Sequence, residues 1–166
     1  LSQQMPADGL YLQKNEVELG AMRIIARSKK GQCERTDFLI PYSKQARKAM
    51  AQLADVWQTG RLPSVLVMNK PKEDPITLCL LEALNEPMSS VMSLPLTVEN
   101  QVGGALALIA EGEDRFTEEH TRLYSLLKEP FFVAISNAMK HEEILELKDL
   151  VTEDNNYLRG ELRRLT

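Results

Sequence analysis

Cysteine, histidine and aromatic side chains are scarce in this sequence, and each scarcity removes a class of chemistry. Only two cysteines, Cys33 and Cys79, occur in 166 residues. They lie far apart with no Cys-x-x-Cys pair, which excludes a disulfide framework and a zinc site and points to reduced thiols. The two histidines, His120 and His141, sit in the polar contexts TEEHTR and MKHEEI, with no second histidine four residues on. They read as surface residues rather than metal ligands, although His120 is placed to help satisfy a helix start. No apolar run approaches the roughly 18 residues that span a bilayer, and nothing at the start resembles a signal peptide. The expectation is a cytoplasmic protein with no membrane contact. The chain begins LSQQMPADGL without a methionine, a short helix-like piece stopping at Pro6, and reads as a fragment of something longer.

The composition is that of one ordinary soluble domain, 43% apolar and 27% charged, with a net charge of −4. An acidic chain whose cations are mixed among glutamates is a poor nucleic-acid binder. Arg23, Arg27, Lys29, Lys30, Arg35, Lys44, Arg47 and Lys48 make one region locally basic. A phosphate-bearing ligand or lipid headgroup could use them, but solvated loop and helix charges account for them without any ligand and are the favoured reading. The paired carboxylates Glu118–Glu119 and Glu142–Glu143 read as exposed helix faces. Gly103–Gly104 precedes a strand, not a helix, and so marks a hairpin turn rather than a phosphate cradle. No catalytic constellation emerges.

Periodicity orders the elements. GLYLQ (9–13) and AMRIIAR (21–27) alternate as a strand pair, SKKGQCERTD (28–37) reads as loop, and FLIPY (38–42) is a brief apolar run. Ser43 caps the helix 44–58, whose Ala46, Met50, Leu53 and Trp57 share a face, and Gly60 ends it. VLVMN (65–69) has strand length, and Asp74 with Pro75 opens a helix over 76–85. Met92, Leu94, Leu96 and Val98 alternate, with Pro95 marking an edge or a bulge. ENQVGG turns into ALALIA (105–110), apolar on both faces and therefore central. Thr117 then opens a long helix running to the end of the chain, which Pro130 should kink or split near Lys128 and Glu129. This order predicts an α+β fold, an antiparallel sheet with helices on its faces. Phe38, Tyr42, Met50, Trp57, Met68, Cys79, Met92 and Leu94 are the candidates to line its core or a ligand pocket between the sheet and the helix 43–58.

From His141 onward there are seven acidic and four basic side chains. A thin stripe nevertheless recurs every seven residues at Ile144, Val151, Leu158 and Leu165, with Lys148, Asn155 and Leu162 completing a heptad. With Ile144 at d, Asn155 falls at a, where a buried asparagine favours a parallel two-stranded coil. A homodimer is expected, although Gly160 weakens the helix.

The run GGALALIAEGEDRFTEEHTRLYSLLKEPFFVAISNA (103–138) resembles the second half of a GAF domain. The segment KHEEILELKDLVTEDNNYLRGELRR (140–164) is similar to the linker that joins such a sensor domain to the AAA+ ATPase of sigma-54-dependent transcriptional activators. The matching residues are Leu147, Lys148, Asp149, Leu150, Asn155, Tyr157, Leu158 and Glu161; EDPITLCLLEALNEP and LKEPFF are also similar to that group. The resemblance implies a GAF-like antiparallel sheet of five to six strands with helices on both faces and a long C-terminal helix. It also implies a sensor domain over 1–140 and a coiled-coil linker over 141–166. An unidentified small-molecule signal would then control an ATPase, and sigma-54 RNA polymerase and DNA would be contacted through other domains. The sequence has no Walker A motif, so no ATPase activity is expected of it. The motif of cyclic-nucleotide-binding members is not found, since NKPKED (69–74) shares only its first two letters. No bilin-attachment or iron-ligand pattern surrounds Cys33 or Cys79, and no cofactor can be named. A GAF-fold methionine sulfoxide reductase would need neighbouring cysteines that this chain does not pair. The alternative to a sensor is a structural dimerisation module without a ligand.

Overall fold

The computed structural model describes residues 5–61, 63–98 and 101–165. By internal contacts the chain divides into two units, Leu1–Leu126 and Leu127–Thr166. The first contains β1 (Gly9–Glu16), β2 (Ala21–Lys29), β3 (Gln32–Pro41), α1 (Lys44–Gln58), β4 (Leu66–Met68), α2 (Pro75–Ala83), β5 (Ser89–Val98), β6 (Gln101–Glu111) and α3 (Glu118–Leu126); the second is α4 (Lys128–Leu165). The strands form one antiparallel sheet in the order β3-β2-β1-β6-β5-β4. The architecture is α+β. The helix-like piece before Pro6 and the turn at 99–100 lie outside the described residues, as do the side chains of His141 and Ile144.

β6 is central, between β1 and β5. Its ALALIA run buries both faces, with Leu106, Ala107, Leu108, Ile109 and Ala110 all 5% exposed or less. Ala107 and Ile109 join Tyr11, Met22, Ile24, Ile40, Tyr42 and Val91 in a core closed by Ala46 of α1 and Leu80 of α2. Side chains one residue out of phase, such as Leu106, point to the other face, where Tyr124 of α3 is fully buried and its hydroxyl donates to Leu106 O at 2.8 Å. Helices therefore cover both faces of the sheet.

Two local expectations are corrected. Residues 28–37 are not a loop: β2 continues to Lys29, pairs with Gln32, and turns tightly through Lys30 (φ 52°) and Gly31 (φ 75°). Two successive left-handed residues make the type I′ geometry that matches strand twist. The segment reads as polar because it lies along the edge of the sheet, where Arg23 pairs with Asp37 and Arg27 with Glu34, and the apolar contacts of β3 come only further on, at Phe38 and Ile40. Gly103 and Gly104 are not a turn either; both lie within β6. A Cβ on Gly104 would sit 2.1 Å from Gln13 O, next to the irregularity between Leu12 and Gln13 in β1. Only glycine allows β1 and β6 to approach this closely. The helix opened by Thr117 is split as expected, α3 stopping at Leu126 and α4 starting at Lys128. Pro130 thereby falls in the first turn of α4, where a missing N–H costs nothing.

Other local expectations hold. Ser43 Oγ accepts from Ala46 N at 3.1 Å and Asp74 Oδ2 from Thr77 N at 3.0 Å, both side chains capping their helices. Pro95 sits beyond the three residues of β5 that pair with β4, on a stretch edge-like on that side, and a bulge follows between Leu96 and Thr97.

Replacing Gly104 with alanine is expected to destabilise the first unit by about 1–3 kcal/mol, since backbone must move to relieve the overlap. Urea unfolding followed by circular dichroism checks this; an unchanged midpoint would contradict the close approach.

Candidate functional site

The described part of the first unit contains a half-open groove of about 290 Å³ between α1, β4 and the start of α2. Ala49, Met50, Gln52, Leu53 and Val56 form one wall, Leu66 and Met68 the floor, and Asp74 and Ile76 the far rim. The groove exists because α1 presents its Met50–Leu53 face while β4, only three residues long, leaves the sheet edge thin. Its walls are nearly all apolar. The one carboxylate, Asp74, already accepts from the backbone and hydroxyl of Thr77. The site therefore suits an uncharged, largely apolar molecule, with two thioethers able to adjust to its shape.

The candidate residues from the sequence do not all meet here. Met50 and Met68 line the groove. Phe38, Tyr42 and Cys79 lie with the core beneath the helices; the Cys79 thiol donates to Pro41 O at 3.4 Å, and the Tyr42 hydroxyl donates to Asn15 at 3.0 Å. Trp57 is half-buried on α1 outside the lining. Met92 and Leu94, both 0% exposed, face away from the groove, because they lie one residue out of phase with Val91. Leu53, Val56, Leu66 and Ile76 were not among the pocket candidates from the sequence. Only helical spacing on α1 gave a signal, for Leu53.

A second cluster joins the groove to α3. Asn69 follows Met68 directly, and its side chain bonds Phe116 twice, with Nδ2 donating to the carbonyl at 2.8 Å and Oδ1 accepting from N–H at 3.1 Å. Asp114 N donates to Asn69 O at 3.0 Å, and Lys70 pairs with Asp114 at 2.6 Å, which raises the lysine pKa. Asp114 has φ 52° and Gly112 has φ 103°, so the connection is sharply bent. Ser90 Oγ fixes that bend by donating to Gly112 O and accepting from Arg115 N. α3 then begins with a reciprocal cap: His120 N donates to Thr117 Oγ1 at 3.3 Å and Thr117 N donates to His120 Nδ1 at 3.0 Å. The histidine therefore accepts through Nδ1, in a structural role.

Three residues of the basic region are engaged by carboxylates of the same chain. Arg23 is held by Glu16 and Asp37, Arg27 by Glu34, and Lys29 by Glu86, whose carboxylate also accepts from the Tyr11 hydroxyl at 2.5 Å. The two thiols stand toward opposite ends of β3, Cys33 on the strand itself and Cys79 against Pro41. Eight residues of strand separate them by on the order of 25 Å. Among the described residues no group of three or more His, Cys, Asp or Glu side chains could hold a metal, and no helix is long and apolar enough to cross a membrane.

No family model matches the chain, and no curated protein matches its sequence. Its structure is similar to the GAF domain of Thermosynechococcus elongatus PixJ, with a TM-score of 0.53, 14% identity and coverage of 82% of this chain and 83% of that one. It is also similar to the chromophore-binding domain of the bacteriophytochrome RpBphP3 from R. palustris, with a TM-score of 0.54, 16% identity and coverage of 81% and 51%. A type II free methionine-R-sulfoxide reductase from Thermoplasma acidophilum matches with a TM-score of 0.50, 13% identity and 80% of each chain. At these identities the likeness is one of fold. The chain has the fold of GAF domains, a fold found in signal-sensing proteins.

Replacing Asn69 with alanine removes both partners of Phe116 and is expected to cost about 1–3 kcal/mol. Hydrogen exchange should show the loss concentrated at 113–121. Equal protection there in variant and wild type would mean that the two bonds do not hold the loop.

Burial raises the Tyr11 phenol, with the bond to Glu86 adding to it; burial alone raises that of Tyr124, and burial with nearby Cys79 pushes Tyr42 up to about 12. Unfolded tyrosines ionise near 10. Above that pH the unfolded chain binds fewer protons than the folded one, so stability is full below about pH 9 and falls as pH rises towards 12. The slope should be up to about 1.4 kcal/mol per pH unit for each tyrosine. Urea midpoints at pH 8, 10 and 11 measure this, and a flat series would contradict the burial.

Proposed function

We propose that this chain is a regulatory sensor with no catalytic activity of its own. Residues 1–140 would bind a small, uncharged, mainly apolar signal molecule in the α1–β4–α2 groove, and residues 141–166 would carry the response through a dimeric coiled coil. The observation that carries this reading is the open apolar groove in a GAF fold, with Met68 of its floor immediately followed by the Asn69 clamp on α3. A ligand that reseats Met68 would act on Phe116 and the α3 cap through one peptide bond and the two hydrogen bonds of Asn69. The destination is argued from the resemblance of 140–164 to the linker of sigma-54-dependent activators: a AAA+ ATPase whose assembly or hydrolysis the signal governs. Contacts with sigma-54 RNA polymerase and DNA would belong to other domains, and the protein would work in the cytoplasm.

Of the other readings, a methionine sulfoxide reductase is disfavoured by the separation of Cys33 and Cys79 along β3. A structural dimerisation module remains as the second reading, favoured by the small size of the groove.

The test is a thermal-shift screen of neutral apolar compounds of up to about 20 heavy atoms, with fluorescence of the single tryptophan, Trp57 on α1, as a second readout. A ligand at a hundred times its Kd should stabilise the wild type by about 2.7 kcal/mol. Leu53→Trp, which fills the groove, should abolish the response while leaving the fold intact. A response that survives the filling would place the ligand elsewhere, and no response to any compound would favour the structural module.

A further inference from the structure

We infer that α4 pairs in parallel with the α4 of a second copy through a seam that changes step at Val151, so that Leu147 rather than Lys148 faces the partner upstream of that point. The inference rests on the dimeric reading above and concerns how the two helices meet.

α4 is one helix of 38 residues, and from Leu145 to Leu165 its side chains are exposed apart from the intermediate Glu161. A strict heptad through Val151, Leu158 and Leu165 requires Lys148 in the seam. That arrangement takes an ammonium out of water while Leu147, one residue earlier, stays 61% exposed. The apolar positions describe a different path. Leu147, Val151 and Asn155 follow one another by four residues twice, and only then does the 3-4-3 alternation resume through Leu158 and Leu165. Two consecutive four-residue steps are what a four-residue insertion produces in a heptad pattern, and they locally unwind the left-handed supercoil. The helices then run nearly straight past each other around Val151, and Lys148 turns to the flank, where its stem covers the seam and its charge stays wet.

The partner is identified by charge. Downstream of the step, Asp154 occupies g and Arg159 occupies e five residues later, the relation that pairs them between helices in a parallel coil. Both are exposed, and neither has an ion-pair partner among the described residues of its own chain. Two-fold symmetry makes the Asp154–Arg159 contact twice and sets Asn155 against its own copy. An antiparallel partner would do neither, setting Asn155 against an apolar side chain. Gly160 falls at f, facing away; a Cβ there would meet nothing within 4 Å.

Sedimentation equilibrium on the whole 166-residue chain tests the step. Leu147→Ala and Val151→Ala should each raise the dimer Kd at least tenfold, while Lys148→Ala changes it less than twofold. If Leu147→Ala is neutral and Lys148→Ala tightens the dimer severalfold, the seam is a strict heptad and the inference is overturned. Asp154→Arg should raise Kd, and adding Arg159→Asp should restore it; failure of that rescue overturns the parallel pairing. A wild-type chain monomeric at tens of micromolar overturns the dimeric reading itself, an outcome distinct from the others.

Discussion

β6 buries both of its faces while pairing with a neighbour on each side, and the other elements are arranged around that requirement. A strand in this position must be apolar throughout and must carry small residues wherever another backbone comes close. Its two faces differ in bulk. Leu106 and Leu108 fill one side, so α3 can seat there with a single large anchor, Tyr124. Ala105, Ala107 and Ile109 occupy the other, where Ile109 is the only large side chain β6 supplies, so the rest of the space under α1 and α2 is filled by side chains reaching in from β1, β2 and β4. Filling from the periphery is less complete at the thin β4 edge, and the groove opens there.

A groove on one face of a sheet and a helix on the other raise the question of how one could influence the other. Strand alternation assigns Val91 and Met92 to opposite faces, and a close-packed sheet transmits small displacements poorly through its thickness. The Asn69 clamp avoids that route. It links the last residue of the groove floor to the start of α3 around the sheet edge, through two hydrogen bonds and the neighbouring Lys70–Asp114 pair. Because Phe116 N–H and C=O depend on one carboxamide, the loop cannot shift without either carrying Asn69 along or leaving buried polar groups unmet. The left-handed residues Gly112 and Asp114 are the bends that let the chain return to that position.

The sequence was most legible where one physical rule acted alone. Ser43 and Asp74–Pro75 announced helix starts because capping is local chemistry. ALALIA announced a central strand because nothing else needs apolar residues on both faces. Pro130 announced a break, which falls just before it. Legibility failed where tertiary context took over. Residues 28–37 are polar because an edge strand can satisfy one side with water and ion pairs, and composition alone cannot distinguish that from a loop. Gly104 looked like a turn residue because glycine's two uses, left-handed backbone and close approach, leave the same letter. Met92 and Leu94 were grouped with the groove because alternation gives phase but not which phase faces which helix. The groove itself is a gap, set by how short β4 turns out to be and by what the surrounding side chains fail to fill.

α4 differs in kind from the first unit. Its apolar stripe is narrow, its net charge is negative, and Gly160 lowers its intrinsic helicity by about 1 kcal/mol relative to alanine. A helix with such a surface gains most of its stability from whatever covers the stripe. If a second copy covers the stripe, as proposed, helix formation and association become two views of one equilibrium. Under the sensing proposal this is an advantage. Coupling between sites is typically worth about 1–3 kcal/mol, too little to reorganise a tightly packed core but enough to reset a proposed seam with a lysine at its flank and an asparagine at its centre. On that proposal a ligand in the groove would not need high affinity to be effective. It would need only a different affinity for two arrangements of the helix that follows.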